Sequence, residues 1–361
     1  MTRIVVAMSG GVDSSVAAAL LVEKGFEVIG MTMQLWDYGA RKSGHAGRCC
    51  ASEDIEDARR VAHHLKIPFY AINFQKEFGA KVVRPFMEDY LGGRTPSPCV
   101  HCNSDLKFRE LVKVANKLRA DQVATGHYAR VQYDPASTRY QLLKAKDRQK
   151  DQSYFLFDLT QDQLRCAVFP LGNLIKSEVR ELARQKRLPV AEKPESQELC
   201  FLQGEQPGHF IQRHIPNLAT GGRMTDSAGN DLGEHAGVQH FTIGQRRGLG
   251  IAAGEPRYVT ELDPSTQSVA IGPEQELMRS AMQVERVNWV SIPHPEGEIS
   301  AHVRIRYRHE ESPATIQPEG KDYVVEFSDP QRAITPGQAT VFYNGDVILG
   351  GGWIRQPLIR S

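Results

Sequence analysis

The 361-residue sequence predicts an α/β protein: a parallel sheet with helices on both faces, then a small central β-rich domain and a C-terminal β-barrel. Three observations predict it. Short apolar runs alternate with helical segments through the first part of the chain. Ser9-Gly10-Gly11-Val12-Asp13-Ser14-Ser15 follows directly on the apolar run Ile4-Val5-Val6-Ala7-Met8. From about residue 205, glycine, proline and polar residues rise and helical periodicity gives way to short alternating segments.

Five consecutive apolar residues, Ile4 to Met8, read as a strand buried on both faces. Gly10 and Gly11 permit a tight turn. The apolar stretch Val12–Val22 is a helix, closed by Gly25 just past its end. Val28–Met33 is the second strand, Asp37–Arg48 a loop, Glu53–Leu65 a helix and Phe69–Ile72 the third strand. Helices over Phe78–Tyr90 and Asp105–Leu118 precede a short strand, Gln122–Thr125, that ends in Gly126-His127-Tyr128. This βαβ rhythm implies the parallel sheet. Later, Ile299–Tyr307, Tyr323–Phe327 and Ala339–Phe342 alternate over short lengths, and Asn344-Gly345 reads as a hairpin turn. The boundaries fall at 1–204 for the first domain, 205–275 for the central one and 276–361 for the barrel.

Strand, glycine turn and helix N-terminus form a phosphate site. Free N–H groups and the positive end of the helix dipole point at the anion. Ser9, Ser14 and Ser15 add hydroxyls, and Asp13 is a candidate magnesium ligand. No lysine follows the glycines, so the loop is not a Walker A motif, and it is not G-x-G-x-x-G. Ligands of such sheets sit at the carboxyl ends of the strands. Met33 and Gly126 both end strands; Gly126 allows close approach, and Met33 is either a pocket contact or ordinary core.

A net charge of +1 means that a polyanionic partner must be held by local patches. With no apolar run long enough to span a bilayer and no signal segment at the start, the expectation is a cytoplasmic protein without membrane association. Six cysteines are too few for a disulfide scaffold, so clustered ones point to metal or catalysis. Cys99 and Cys102 form a C-x-x-C after Pro96-Ser97-Pro98, which reads as a rigid loop leading into a helix from about Asn103. A thiol at a helix N-terminus is expected to ionise more easily. A zinc site would need a second pair, and His209 with His214 is the nearest candidate. Cys49, Cys50 and Cys166 read as small hydrophobes. Two basic stripes stand out: His302, Arg304, Arg306 and Arg308 on one face of a strand, and Lys176, Arg180 and Arg184 at helical spacing. Each is a polyanion track or a solvated face.

The phosphate loop resembles the PP-loop of ATP pyrophosphatases. Further motifs make the resemblance specific: Pro96-Ser97-Pro98-Cys99-Val100-His101-Cys102-Asn103, Ala124-Thr125-Gly126-His127-Tyr128-Ala129-Arg130, Lys150-Asp151-Gln152-Ser153-Tyr154-Phe155-Leu156, Ser196-Gln197-Glu198-Leu199-Cys200-Phe201, Thr242-Ile243-Gly244-Gln245-Arg246-Arg247-Gly248-Leu249 and Gly337-Gln338. In this order they are similar to those of the tRNA-specific 2-thiouridylases, from Ile4 to Trp353. The resemblance implies a PP-loop, adenine-nucleotide α-hydrolase-like fold. It implies ATP with magnesium at Ala7, Met8, Ser9, Gly10, Gly11, Val12, Asp13 and Ser14, with Met33 and Gly126 as further contacts. It implies adenylation of the 2-oxo group of a wobble uridine, then sulfur delivery from a Cys200 persulfide with Cys102 as partner nucleophile. The target base would meet Ser97, Pro98 and Cys99, and tRNA would meet His127, Lys150, Asp151, Gln152, Arg306, Tyr307 and Gln338. An upstream sulfur-donor protein or sulfide is the implied partner, and the chain is expected to be monomeric without tRNA.

Many relatives carry aspartate where this chain has Cys99. Three convergent thiols, Cys99, Cys102 and Cys200, are therefore also candidate ligands of a four-iron, four-sulfur cluster with one open iron. Two other classes stay in view: an adenylating synthetase acting on a carboxylate, which would not need the thiol pair, and a zinc-stapled RNA-binding protein without catalysis, which would not need the phosphate loop.

Overall fold

The computed structural model of the chain describes residues 1–36, 50–194, 199–218, 221–251 and 255–359. Strand β1 (Arg3–Ala7) is the middle of a five-stranded parallel sheet, flanked by β2 (Glu27–Gln34), β3 (Phe69–Asn73), β4 (Gln122–Ala124) and a two-residue β7 (Ala167–Val168), in the order β3-β2-β1-β4-β7. Successive side chains of β1 face opposite layers. Ile4 and Val6 pack with helix α1 (Val12–Glu23), with Ala58, Val61 and Ala62 of α2 (Cys50–His64), and with Val179 and Ala183 of the Lys176–Gln185 helix. Val5 packs on the other side with Val100, Phe108, Leu111 and Ala115 of a helix running over 98–117. This is the doubly covered parallel sheet expected from the apolar runs.

That second layer does not end at the sheet. The same buried cluster continues into Val341, Tyr343, Ile348 and Trp353, which belong to the C-terminal barrel. The barrel closes through six strands: β12 (Met278–Asn288), β15 (Asp322–Arg332), β14 (Ser312–Glu319), β13 (Ile299–Arg304), β16 (Ala339–Asn344) and β17 (Val347–Leu358), with β17 pairing back to β12. Closure removes the sheet edges. A hairpin from the first part of the chain, β5 (Ala129–Asp134) and β6 (Arg139–Lys144), extends the barrel sheet beyond β17. The chain turns between β16 and β17 at Asn344-Gly345, where Gly345 has φ +57°. Between the two large units lies a four-stranded sheet, β10-β11-β8-β9, from β8 (Gly222–Asp226), β9 (Asp231–His235), β10 (Tyr258–Asp263) and β11 (Ser268–Gly272), with its own small core around Val259, Val269 and Ile271.

Three sequence expectations are corrected. Cys99 and Cys102 do not sit in a loop: Pro98–His101 is already helical, and the helix continues without a break through a π-helical turn, Cys102–Phe108, into Arg109–Lys117. Pro98 occupies the first turn, where its missing N–H costs nothing. The basic strand ends at Arg304; residues 305–308 turn, so Arg306 and Arg308 do not continue the face of His302 and Arg304. The Lys176, Arg180 and Arg184 stripe is committed internally: Lys176 to Asp13, Arg180 to the carbonyls of Ala191 and Lys193, and Arg184 to Glu192. The loop expected over Asp37–Arg48, and Cys49, lie outside the described residues; so does the side chain of Cys50.

Candidate active site

The phosphate loop is built by close backbone contact. Gly10 has φ +74°, and a Cβ there would lie 2.2 Å from the Asp54 carbonyl oxygen at the start of α2. Only glycine satisfies both conditions. Gly11 caps α1 with extended backbone and no side-chain cap, so the first N–H groups of α1 stay open toward a ligand. The Ser9 N–H donates to Ser14 Oγ at 3.1 Å, while the Ser14 and Ser15 hydroxyls donate to the Gly11 carbonyl at 3.2 and 2.7 Å. Gly126, just past β4, presses on the same helix end; a Cβ there would lie 2.6 Å from the Ser14 nitrogen. Ala7 is half-buried, Met8 and Val12 are buried in the sheet layers, and Met33 is half-buried against two core clusters.

Asp13 carries a contact that its motif does not reveal. Its carboxylate accepts from Lys176 Nζ at 2.7 and 2.8 Å and from the Tyr128 hydroxyl at 2.9 Å. Lys193 holds the loop from the other side, donating to the Gly10 carbonyl at 3.1 Å and to Asp54 and Asp57 at 2.6 and 2.5 Å. Neither lysine is near the motif in sequence, and only the fold brings them to it.

The thiols form a second group, brought together by the 98–117 helix and the segment around Phe201. Cys102 is buried and packs with Phe201 and Leu202, which places Cys200 beside it; Cys200 itself remains open to solvent, and Cys99 is half-buried. Each thiol lies within electrostatic reach of Lys107. Burial pushes the Cys99 thiol up to about 11 and also raises Cys102 and Cys200; the neighbouring Cys102 adds to the rise at Cys99 and Cys200, and Lys107 opposes it in all three. The easier ionisation expected from a helix N-terminus is thus reversed, because desolvation outweighs a dipole that fades within one turn. Among the described residues no group of three or more His, Cys, Asp or Glu side chains is arranged to hold a metal ion. The histidine pair therefore does not fit zinc, and the three thiols do not converge on a single metal ion. His209 instead packs on His240, and His214 on Phe210.

The side chains expected to meet tRNA have internal partners. His127 is half-buried, its Nδ1 is 2.7 Å from the Thr125 hydroxyl, and burial, then Lys107, push its imidazole down to about 3, so it is neutral. Asp151 is buried; it accepts from the Ala145 and Ser153 N–H groups and the Ser153 hydroxyl. The Lys150 N–H donates to Asp147, and Gln152 Oε1 accepts the Tyr128 N–H at 3.0 Å. Tyr307 donates to the Asp151 carbonyl at 3.0 Å and packs on Phe155 with ring centres 4.4 Å apart. Arg306 donates to the Arg332 carbonyl at 3.2 Å. Gln338 donates to the carbonyls of Thr95 and Pro96 at 2.9 and 3.2 Å, and Ser97 Oγ accepts the Ala339 N–H at 3.0 Å. Together these bonds clasp the barrel to the 95–98 segment that starts the thiol helix.

The arrangement is a phosphate cradle and a thiol cluster joined by one segment. Gly126 backs the cradle, and the next residue, His127, lies within reach of Lys107, which faces the thiols. Comparison with known proteins gives the same reading along the whole chain. A tRNA methyl transferase HUP domain model matches residues 2–204, a tRNA methyl transferase PRC-barrel domain model residues 208–273, and an aminomethyltransferase β-barrel domain model residues 279–354. A tRNA-specific 2-thiouridylase of Acidobacterium capsulatum is 48% identical over 97% of this chain and 98% of its own. That of Geotalea uraniireducens is 50% identical over 99% and 96%, and that of Halothermothrix orenii 48% identical over 99% of each chain. Among solved structures, a 4-thiouridine synthetase–RNA complex with bound ATP covers 60% of this chain and 51% of its own at 18% identity and a TM-score of 0.37. A phosphate loop without lysine, a thiol pair beside it and a clasped β-barrel, matched from end to end by such relatives, place the chain in the tRNA-specific 2-thiouridylase family.

Proposed function

We propose that this chain replaces the 2-oxo group of the wobble uridine of tRNA with sulfur, using ATP. One observation carries the reading: residues 125–128 back the phosphate cradle at Gly126 and reach the thiol cluster through His127 and Lys107, so one segment links the place of activation to the place of sulfur transfer. The open N–H groups of α1 and the hydroxyl of Ser9 would cradle the phosphates. Magnesium fits this donor set, since it is commonly held by one or two carboxylates together with substrate phosphates. Asp13 would hold it, with Lys176 released to the phosphates, and the ion would neutralise charge on the leaving pyrophosphate.

The uracil 2-oxo oxygen attacks the α-phosphorus and pyrophosphate leaves. By then the Cys200 thiol, which solvent reaches, has attacked the outer sulfur of a donor protein's persulfide; the sulfane sulfur passes to Cys200 and the donor's own thiol leaves. The terminal sulfur of that persulfide attacks carbon 2 and AMP leaves, giving a base–S–S–Cys200 adduct. The Cys102 thiolate then attacks Sγ of Cys200; the S–S bond to the base breaks, the 2-thiouridine departs, and a Cys102–Cys200 disulfide remains. A cellular dithiol reductant must reduce it before the next turnover. The base must leave its stack to meet the reacting groups, and Ser97, Pro98 and Cys99 are proposed to line its place. His127, Lys150, Asp151, Gln152, Arg306, Tyr307 and Gln338 are proposed to shape the surface tRNA meets, several of them by holding backbone rather than by direct contact. No step passes through an iron–sulfur cluster.

The test separates activation from transfer. Asp13→Ala should abolish tRNA-dependent pyrophosphate release, whereas Cys200→Ser should retain it and lose thiolation. Pyrophosphate release that is independent of tRNA, or undiminished in Asp13→Ala, would overturn the assignment.

A further inference from the structure

We propose that Lys107 is a positioning residue of the sulfur-transfer site, its ammonium set by a π-helical turn to face Cys102 and Cys200 and hold anionic sulfur between them. The inference rests on the sulfur-transfer reading above and adds a residue that neither the motifs nor the comparisons assign.

Register is the first ground. Residues five apart in an α-helix lie roughly 140° apart around the axis, on different faces. Cys102 and Lys107 are five apart, but they share the segment Cys102–Phe108, where the bonding is i→i+5 and the wider turn brings such residues back toward one face. Single π turns concentrate at functional sites. Leu106 and Phe108, on either side of Lys107, are fully buried, so the turn is anchored in the core.

Partners are the second ground. Among the described residues Lys107 has no carboxylate within salt-bridge distance, although it is half-buried. The carboxylates on its own helix look elsewhere: Asp105 to His101, and Glu110 to Lys81 and Lys113. The titratable groups that face it are Cys99 and Cys102 from its own helix, Cys200 from the segment after residue 199, and His127 from the segment after β4. His127 is neutral. An enclosed cation without a carboxylate is costly unless anions are supplied. Here the anions are thiolates, and burial opposes their formation. Persulfide attack and disulfide closure both pass through anionic sulfur, so the cation supports each step while the protonated resting thiols stay protected from oxidation.

The experiment is pH-dependent alkylation of the full chain by iodoacetamide, read separately at Cys102 and Cys200 by peptide mass spectrometry. Wild type, Lys107→Met and Lys107→Arg are compared, with thermal melts to confirm folding. Lys107→Met should move the midpoint at Cys200 up by about one pH unit, which is roughly tenfold slower alkylation below it, and Lys107→Arg should restore most of the rate. Single-turnover thiolation by Lys107→Met should fall at neutral pH and recover at higher pH. Should Lys107→Met fail to fold, Lys107→Gln replaces it. Coincident alkylation curves for wild type and the neutral variant overturn the inference. Because this measurement needs neither tRNA nor ATP, a shifted curve in a chain that never thiolates tRNA would refute the reaction instead.

Discussion

Cys99 is the third thiol of the cluster, and its surroundings decide what it does. It sits one helical turn before Cys102, half-buried, with its thiol pushed up to about 11 by burial and then by Cys102. Burial raises Cys102 and Cys200 as well, so protonation does not set Cys99 apart; what does is that the proposed relay needs only two sulfurs. The relay uses only Cys102 and Cys200. Cys99→Ala should therefore retain single-turnover thiolation within a few-fold when sulfane sulfur is supplied, and iron analysis of the active preparation should find no stoichiometric iron. If activity and bound iron disappear together in Cys99→Ala, the three-thiol cluster returns and the relay fails. At this scale the sequence was a good guide to which residues matter and a poor one to their state. The glycines, serines and cysteines announced themselves by motif. Lys107 and Lys193 did not, because a lysine carries no local signal of being buried, and Lys176 was legible only as part of a basic stripe, not as the partner of Asp13.

At the scale of elements, the strands of the parallel sheet were legible because a strand covered on both faces must be apolar throughout. The thiol helix was less so. Pro96 and Pro98 read as a loop, although proline is favoured in the first turn of a helix, and the π turn leaves no trace in the spacing of apolar residues. The strict alternation His302–Arg308 imitated a strand through a turn, where the His309 N–H bonds back to the Arg306 carbonyl. The segment after the thiol helix carries a pH signature of its own. Burial first, eased by the Ser104 hydroxyl, holds the Asp158 carboxyl up at about 6 against an ordinary 3.8. The folded state therefore binds this proton more tightly than the unfolded chain. Its stabilising contribution is complete below about pH 4 and is lost as pH rises through 6, amounting to about 3 kcal/mol. Urea unfolding of Asp158→Asn should lack that slope and be more stable than wild type at pH 8 by a similar amount. Parallel pH profiles for the two proteins would show that Asp158 does not titrate in this range.

At the scale of the whole molecule, the fold places its two large units in one core. The alternation of apolar and polar residues located the barrel, but the β5–β6 hairpin that joins its sheet, and the Val341, Tyr343 and Trp353 side chains that share the core of the parallel sheet, depend on docking that no local pattern encodes. The clasp over residues 95–98 is the point where docking meets chemistry. Ser97 accepts the fully buried Ala339 N–H, Tyr154 donates to the Ala339 carbonyl at 2.7 Å, and Gln338 holds the carbonyls of Thr95 and Pro96. Removing the Ser97 hydroxyl leaves a buried N–H without a partner, which costs about 1–3 kcal/mol. That cost falls on the joint between the units rather than on either core, because Ser97 starts the thiol helix and Ala339 starts β16. Ser97→Ala should accordingly lower the melting temperature and broaden or split the calorimetric transition. Thiolation should fall more than tRNA-dependent pyrophosphate release, since the thiol helix is anchored by the clasp and the phosphate loop is not. A thermogram that superimposes on wild type, with both activities intact, would mean that apolar packing alone holds the barrel to the sheet.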